Sequence, residues 1–154
     1  KKHLMVFNNG KSMFFDYPPL HLTEMQSIVF DFVNLIQQSI ANQFNMPKSK
    51  IKIKGLEYTI QESGQSLASH TDAGVSKNDV YSAILYLTDE YDGGEIVFYD
   101  THLQEEPIPT SYKPDAGTLI YFPGTVDYPH EVLPVISGTR SALVMFFEGD
   151  TLRA

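Results

Sequence analysis

Residues 130–147 read HEVLPVISGTRSALVMFF. Successive side chains of a strand point to opposite faces, so an inward Arg140 carries Ala142, Val144 and Phe146 inward with it, and an inward His130 does the same for Val132. The stretch is therefore expected to form strands of a barrel-like sheet, with one basic side chain and one histidine among apolar wall residues.

Working back from it, short apolar runs recur at 117–122 (GTLIYF), 95–100 (EIVFYD) and 80–88 (VYSAILYLT), separated by Gly, Pro and Asp turns. Alternation is also seen in Ile51 and Ile53, then Leu56, Tyr58 and Ile60. Before Pro47 the period changes. Met25, Ile28, Val29, Phe32, Ile36, Ile40 and Phe44 recur at three and four, which predicts an amphipathic helix over 23–46 with Thr23 as its cap, Gln26 three residues on and Pro47 as its stop. Residues 4–7 (LMVF) and 12–17 (SMFFDY) read as two strands around the turn signal Asn8-Asn9-Gly10. A helix followed by at least six or seven short strands predicts a mainly β protein, a jelly roll of two sheets backed by one long helix. One domain over 1–154 is expected, with the β core at about 51–148.

Composition narrows the function. The 154 residues contain no cysteine, so thiolate metal sites, disulfides and thiol nucleophiles are excluded and any metal must be held by His and carboxylate. A formal net charge of −8 opposes a broad phosphate-binding surface, so a nucleic-acid partner is not expected. No apolar run approaches the roughly 18 residues of a membrane span. The absence of cysteine fits the cytoplasm best, and because the sequence opens on Lys1 a targeting segment could already have been trimmed.

Among five histidines, His70 stands two residues before Asp72 in ASHTDAG (68–74), so the two can share one face of an extended segment. His130 opens a strand just after the turn Phe122-Pro123-Gly124. Two histidines and a carboxylate form the facial set that holds non-haem Fe(II) and leaves coordination positions free. Ten residues after His130 comes Arg140, whose guanidinium in a barrel interior needs an anionic partner such as a carboxylate. His3, His21 and His102 are read as ordinary surface or loop residues, Asp127 and Glu131 as solvated carboxylates, and 105–109 (EEPIP) as an exposed loop.

Four blocks together, His70-Thr71-Asp72, AILYLTDEYDGGEIVFY (83–99), PDAGTLIYFPG (114–124) and HEVLPVISGTRSALVMFF (130–147), resemble the prolyl 4-hydroxylase-like branch of the Fe(II) and 2-oxoglutarate-dependent dioxygenases. The resemblance implies a double-stranded β-helix, the cupin-like form of the jelly roll. It implies His70, Asp72 and His130 as metal ligands and Arg140 as the residue that binds the distal carboxylate of 2-oxoglutarate, giving four catalytic residues. It matches Tyr86 to a tyrosine that bonds the same carboxylate, and Tyr58 to another site tyrosine once a small insertion before His70 is allowed. Ile84, Ile96, Val132 and Phe146 are expected to wall the cosubstrate pocket. Many prolyl 4-hydroxylases carry lysine where this chain has Arg140, and many relatives carry tryptophan near Phe146; arginine occurs in oxygen-sensing prolyl hydroxylases and bacterial homologues.

Implied cofactors are Fe(II), 2-oxoglutarate, O2 and ascorbate, and the implied reaction hydroxylates a C–H bond with release of succinate and CO2. A prolyl residue of a peptide or protein is the expected substrate. A free amino acid or other side chain, or a jelly roll that binds metal or 2-oxoglutarate without turnover, are the alternatives. The polar segments 74–79 (GVSKND) and 101–116 are expected to lie near the mouth, where a peptide could rest and a lid could close.

Overall fold

The computed structural model describes residues 2–8, 11–17, 24–72, 79–99 and 108–149. In chain order these form β1 (Lys2–Asn8), β2 (Lys11–Tyr17), α1 (Glu24–Gln43), a single 3-10 turn (Lys48–Lys50), β3 (Ile51–Glu62), β4 (Leu67–His70), β5 (Asp79–Tyr86), β6 (Tyr91–Gly93), β7 (Ile96–Tyr99), β8 (Pro109–Tyr112), β9 (Leu119–Pro123), β10 (His130–Val132) and β11 (Val135–Gly149). A large sheet runs β2-β1-β3-β11-β5-β9, with β6 paired to β11, and a smaller one runs β4-β10-β7-β8. All pairings are antiparallel except β1 with β3. This is the jelly roll with one helix that the sequence predicts.

The helix ends earlier than Pro47 requires. Asn45 takes a left-handed φ of 49°, Met46 N–H bonds the Ala41 carbonyl at 2.9 Å and Asn45 N–H bonds that of Asn42 at 3.2 Å. This is a Schellman cap, in which asparagine is the commonest substitute for glycine. The buried stripe also turns slightly from the expected one. Val33, Ile36, Ile40 and Ala41 are buried, whereas Ile28 is 55% exposed. Thr23 lies outside the described residues, as do His21 and His102.

The apolar alternation on β3 changes phase between Ile53 and Leu56 because of a bulge. Phe146 pairs with Gly55 and Phe147 with Ile53, which leaves Lys54 without a directly opposed partner. Ile51, Ile53 and Leu56 consequently all pack toward α1, with Tyr81, Ala83, Met145 and Phe147. The opposite face of the same strands forms a second apolar cluster between the sheets, made of Ile84, Tyr86, Ile96, Phe122 and Ala142, with Phe98, Ile120 and Val144 against it. One face of the large sheet thus anchors the helix and the other lines the space where the site is built.

Within the polar span 101–116, residues 109–112 form the edge strand β8 on β7. Its side chains are exposed, so it carries no apolar run by which it could be recognised. No helix among the described residues is long and apolar enough to cross a membrane.

Candidate active site

Three short segments bring the chemistry together. His70 ends β4 and His130 begins β10, and the two are direct cross-strand partners, with ring centroids 4.4 Å apart. Asp72 follows His70 by two residues, and its carboxylate lies 3.4 Å from His70 Nε2 and 3.6 Å from His130 Nε2. One ligand atom from each of the three falls within 4.8 Å of the others.

The surroundings fix the orientation of each group. Nδ1–H of His70 donates to the Ala68 carbonyl at 2.9 Å, and Nδ1–H of His130 donates to the Tyr128 carbonyl at 3.2 Å. Both rings therefore turn Nε2 toward the carboxylate, the tautomer a metal-binding imidazole needs. Ser82 Oγ–H donates to Asp72 Oδ2 at 2.5 Å. The His130 ring is wedged against Phe98 and Phe122, at 5.6 and 4.9 Å between centroids.

The electrostatics differ between the two histidines. The hydrogen bond that His70 donates to Asp72 raises the imidazole above its ordinary value, against the pull of burial. Burial lowers His130, against the Asp72 charge. Burial would push Asp72 up, but the bonds from His70 and Ser82 and the charge of the two rings hold it below the usual carboxylate range. Two imidazoles and one oriented carboxylate, open on one side, suit a divalent first-row metal with free coordination positions.

The triad lines a cavity of about 730 Å³ that also takes in Tyr58, Ile84, Ile96, Val132, Arg140, Val144 and Phe146. Arg140 is only 3% exposed. Its NH1 donates to Gln61 Oε1 at 2.6 Å and its NH2 to the Tyr86 hydroxyl at 3.2 Å, and the guanidinium carbon lies 5.0 Å from the Tyr86 ring centre. Arg140 Nε and the Tyr91 hydroxyl are buried without a hydrogen-bond partner. Among the described residues no carboxylate pairs with this guanidinium. A buried cation left without an anion is costly, so the donor set fits the carboxylate of a bound molecule. Gly94 allows the arrangement: at φ +66° it lies so near that an added Cβ would stand 3.2 Å from Arg140 Cδ and 3.1 Å from Val135 Cγ2.

All ten residues that the sequence singles out meet at this one place. Nine line the cavity, and Tyr86, fully buried, reaches it through Arg140. Tyr58 stands differently from the others. Its cross-strand partner is Leu143, out of phase with Arg140, and the β3 residues in phase are Glu57, Thr59 and Gln61, opposite Val144, Ala142 and Arg140. Gln61 therefore holds the place beside the guanidinium.

Gln61, Ser82, Tyr91 and Glu57 are the neighbours that sequence reasoning missed. For β3 a signal existed: Glu57, Thr59 and Gln61 alternate with Leu56, Tyr58 and Ile60 along one strand. Ser82 sits in the apolar run of β5 and left no such trace. Burial first, and then the charge of Asp72, push the Glu57 carboxyl up.

A family model described as the 2OG-Fe(II) oxygenase superfamily matches residues 54–148. The sequence is 39% identical over 72 residues to prolyl 3-hydroxylase 2 of Mus musculus, a match covering 47% of this chain and 10% of that protein. The match thus spans about a tenth of the length of that relative. Among solved structures it is similar to an oxidoreductase of the 2OG-Fe(II) oxygenase family from Burkholderia pseudomallei, with a TM-score of 0.65 at 21% identity, covering 99% of this chain and 76% of the other. It is also similar to a prolyl-4-hydroxylase from Pseudomonas putida, with a TM-score of 0.52 at 25% identity, covering 63% of this chain and 53% of the other.

Proposed function

The chain belongs to the 2OG-Fe(II) oxygenase superfamily, on its prolyl 4-hydroxylase-like side, and from that premise we propose that it hydroxylates a prolyl residue of a peptide or protein, using Fe(II), 2-oxoglutarate and O2 and releasing succinate and CO2. The observation that carries the reading is the pairing, in one cavity, of the His70, Asp72 and His130 donors with a buried Arg140 that has no anionic partner among the described residues.

Within this proposal His70, Asp72 and His130 hold the iron, and their Nδ1–H bonds to backbone keep both Nε2 atoms aimed at it. Bound iron supplies the redox chemistry that activates oxygen at the expense of 2-oxoglutarate. Arg140 and Tyr86 receive the far carboxylate of the cosubstrate, with the aromatic ring restricting where the guanidinium can lie. Ile84, Ile96, Val132 and Phe146 exclude water along its length. Ascorbate serves to keep the iron reduced. The prolyl specificity follows the resemblance and the names of the relatives.

The test is succinate release by purified protein given Fe(II), 2-oxoglutarate and ascorbate in air, with and without proline-containing peptides, scored beside a His130→Ala variant. Succinate that requires His130 and rises with a peptide that gains one oxygen in mass is the expected result. Equal succinate from both proteins would end the proposal.

A further inference from the structure

The inward face of β3 is polar where the neighbouring β11 is apolar but for Arg140. Glu57, Thr59 and Gln61 oppose Val144, Ala142 and Arg140 on β11. Two of the three have structural work. Gln61 accepts from Arg140, and Thr59 Oγ1 donates to the Ala142 carbonyl at 3.3 Å. Glu57 makes no hydrogen bond or salt bridge among the described residues, yet it is half-buried and lines the same cavity.

Its position along the cavity follows from register. Glu57, Val144 and Ile84 form one row across β3, β11 and β5, and the next row is Gly55, Phe146 and Ser82. Ser82 is the residue that holds Asp72. Glu57 therefore stands one row from the serine that holds Asp72, and four residues along β3 from Gln61, which is roughly 13 Å from the Arg140 clamp at about 3.3 Å per residue. Of the charged side chains in the cavity, His70, Asp72 and His130 are committed to one another and Arg140 to its clamp, leaving Glu57 as the one charge without a task. A carboxylate in a partly desolvated wall favours a cationic donor strongly over a neutral one, and a chain of net charge −8 attracts cations over a longer range.

We propose that Glu57 is a substrate-reading carboxylate, selecting substrates that present an ammonium or guanidinium group close to the carbon to be hydroxylated. The assignment rests on the reading of this cavity as a hydroxylase site. The cation comes either from a lysine or arginine beside the target residue or from a free α-ammonium, and both are the same chemistry to the carboxylate.

Binding to the Mn(II)- and 2-oxoglutarate-loaded protein tests it apart from turnover. Acetylated prolyl peptides identical except for Lys, norleucine or Glu next to the proline supply the charge series, and the unacetylated norleucine peptide supplies the α-ammonium. The Lys peptide should bind about tenfold or more tightly than the norleucine peptide. With each variant saturated in Mn(II), that preference should vanish in Glu57→Gln, which keeps the side-chain shape, and pass to the Glu peptide in Glu57→Lys. A gain by the unacetylated norleucine peptide alone identifies the α-ammonium as the source. Equal binding of Lys and norleucine peptides together with no such gain, or a preference that survives Glu57→Gln, overturns the assignment. Succinate release with Fe(II) is scored separately. Charge preference that follows Glu57 without succinate sinks the hydroxylase reading and leaves Glu57 as a cation-binding group only, and coupled succinate with no charge preference overturns the assignment and keeps the hydroxylase reading.

Discussion

Arg140 is a full charge in a mostly apolar wall, held by one amide oxygen and one phenol. Arg140→Lys retains the charge but not the fork, so affinity for 2-oxoglutarate in the Mn(II)-loaded protein should fall by about tenfold or more in a calorimetric titration. Arg140→Met should abolish that binding yet leave the metal-free protein as stable as before, or more so, in a urea melt, because a buried cation without its anion contributes little to stability. The two histidines make a second prediction. His70 is raised by its bond to Asp72, so without metal it keeps its proton to a higher pH than a free imidazole, and metal must displace that proton. Mn(II) affinity should therefore climb as pH rises through and beyond about 6.5, the ordinary imidazole value, and fall on acidification; His130, lowered by burial, is already neutral there. Affinity that is flat between about pH 6 and 8 would contradict the ligand set. These four residues were legible through their order and spacing across four blocks that together resemble one family, a His-x-Asp by itself being common by chance. Ser82 was not, since its role depends on a partner ten residues distant, and Gln61 showed only as a polar position whose partner lies 79 residues away.

At the scale of the element, small backbone features decide where side chains land. Asn45 holds the left-handed position of the α1 cap. Asn45→Gly should raise stability by a few tenths of a kcal/mol and Asn45→Ala should lower it by about 1 kcal/mol, read as shifts of a thermal melt. Phe147→Ala, at a fully buried site between helix and sheet, should cost about 3–5 kcal/mol, whereas Ile28→Ala on the exposed side of α1 should cost under about 0.5. The helix and the apolar strands of the large sheet were readable from periodicity because each has one wet or one helix-covered face. The bulge at Lys54 was also present in the pattern, as the skip from Ile53 to Leu56. Edge strand β8 was missed since its burial is negligible. Strands β4 and β10 are so short that they carry the ligands with almost no apolar pattern of their own.

For the molecule as a whole, the proposed metal and cosubstrate sites draw on residues of both sheets, so loading should stabilise the fold by linkage. At a hundredfold excess over Kd the gain is about 2.7 kcal/mol for each independent ligand. A chain of this length should then melt roughly 5–10 °C higher with Mn(II) and fall back on chelation. A second consequence lies in the order of the strands. β11 is the last described strand in the chain, yet it pairs with β3, β5 and β6 and carries Arg140. Neither core face of the large sheet can close until it arrives. During synthesis β3, β5 and β6 must wait without their shared partner while residues 135–149 are still inside the ribosome, with Leu56, Tyr81 and Ile84 open to solvent or to a chaperone. Ribosome-arrested chains ending before Val135 should be cut rapidly by protease, and chains whose β11 has cleared the exit tunnel should resist it. The same residue that is expected to grip the cosubstrate is thus among the last to be delivered, so a partly made chain has no complete cavity in which to start oxidative chemistry.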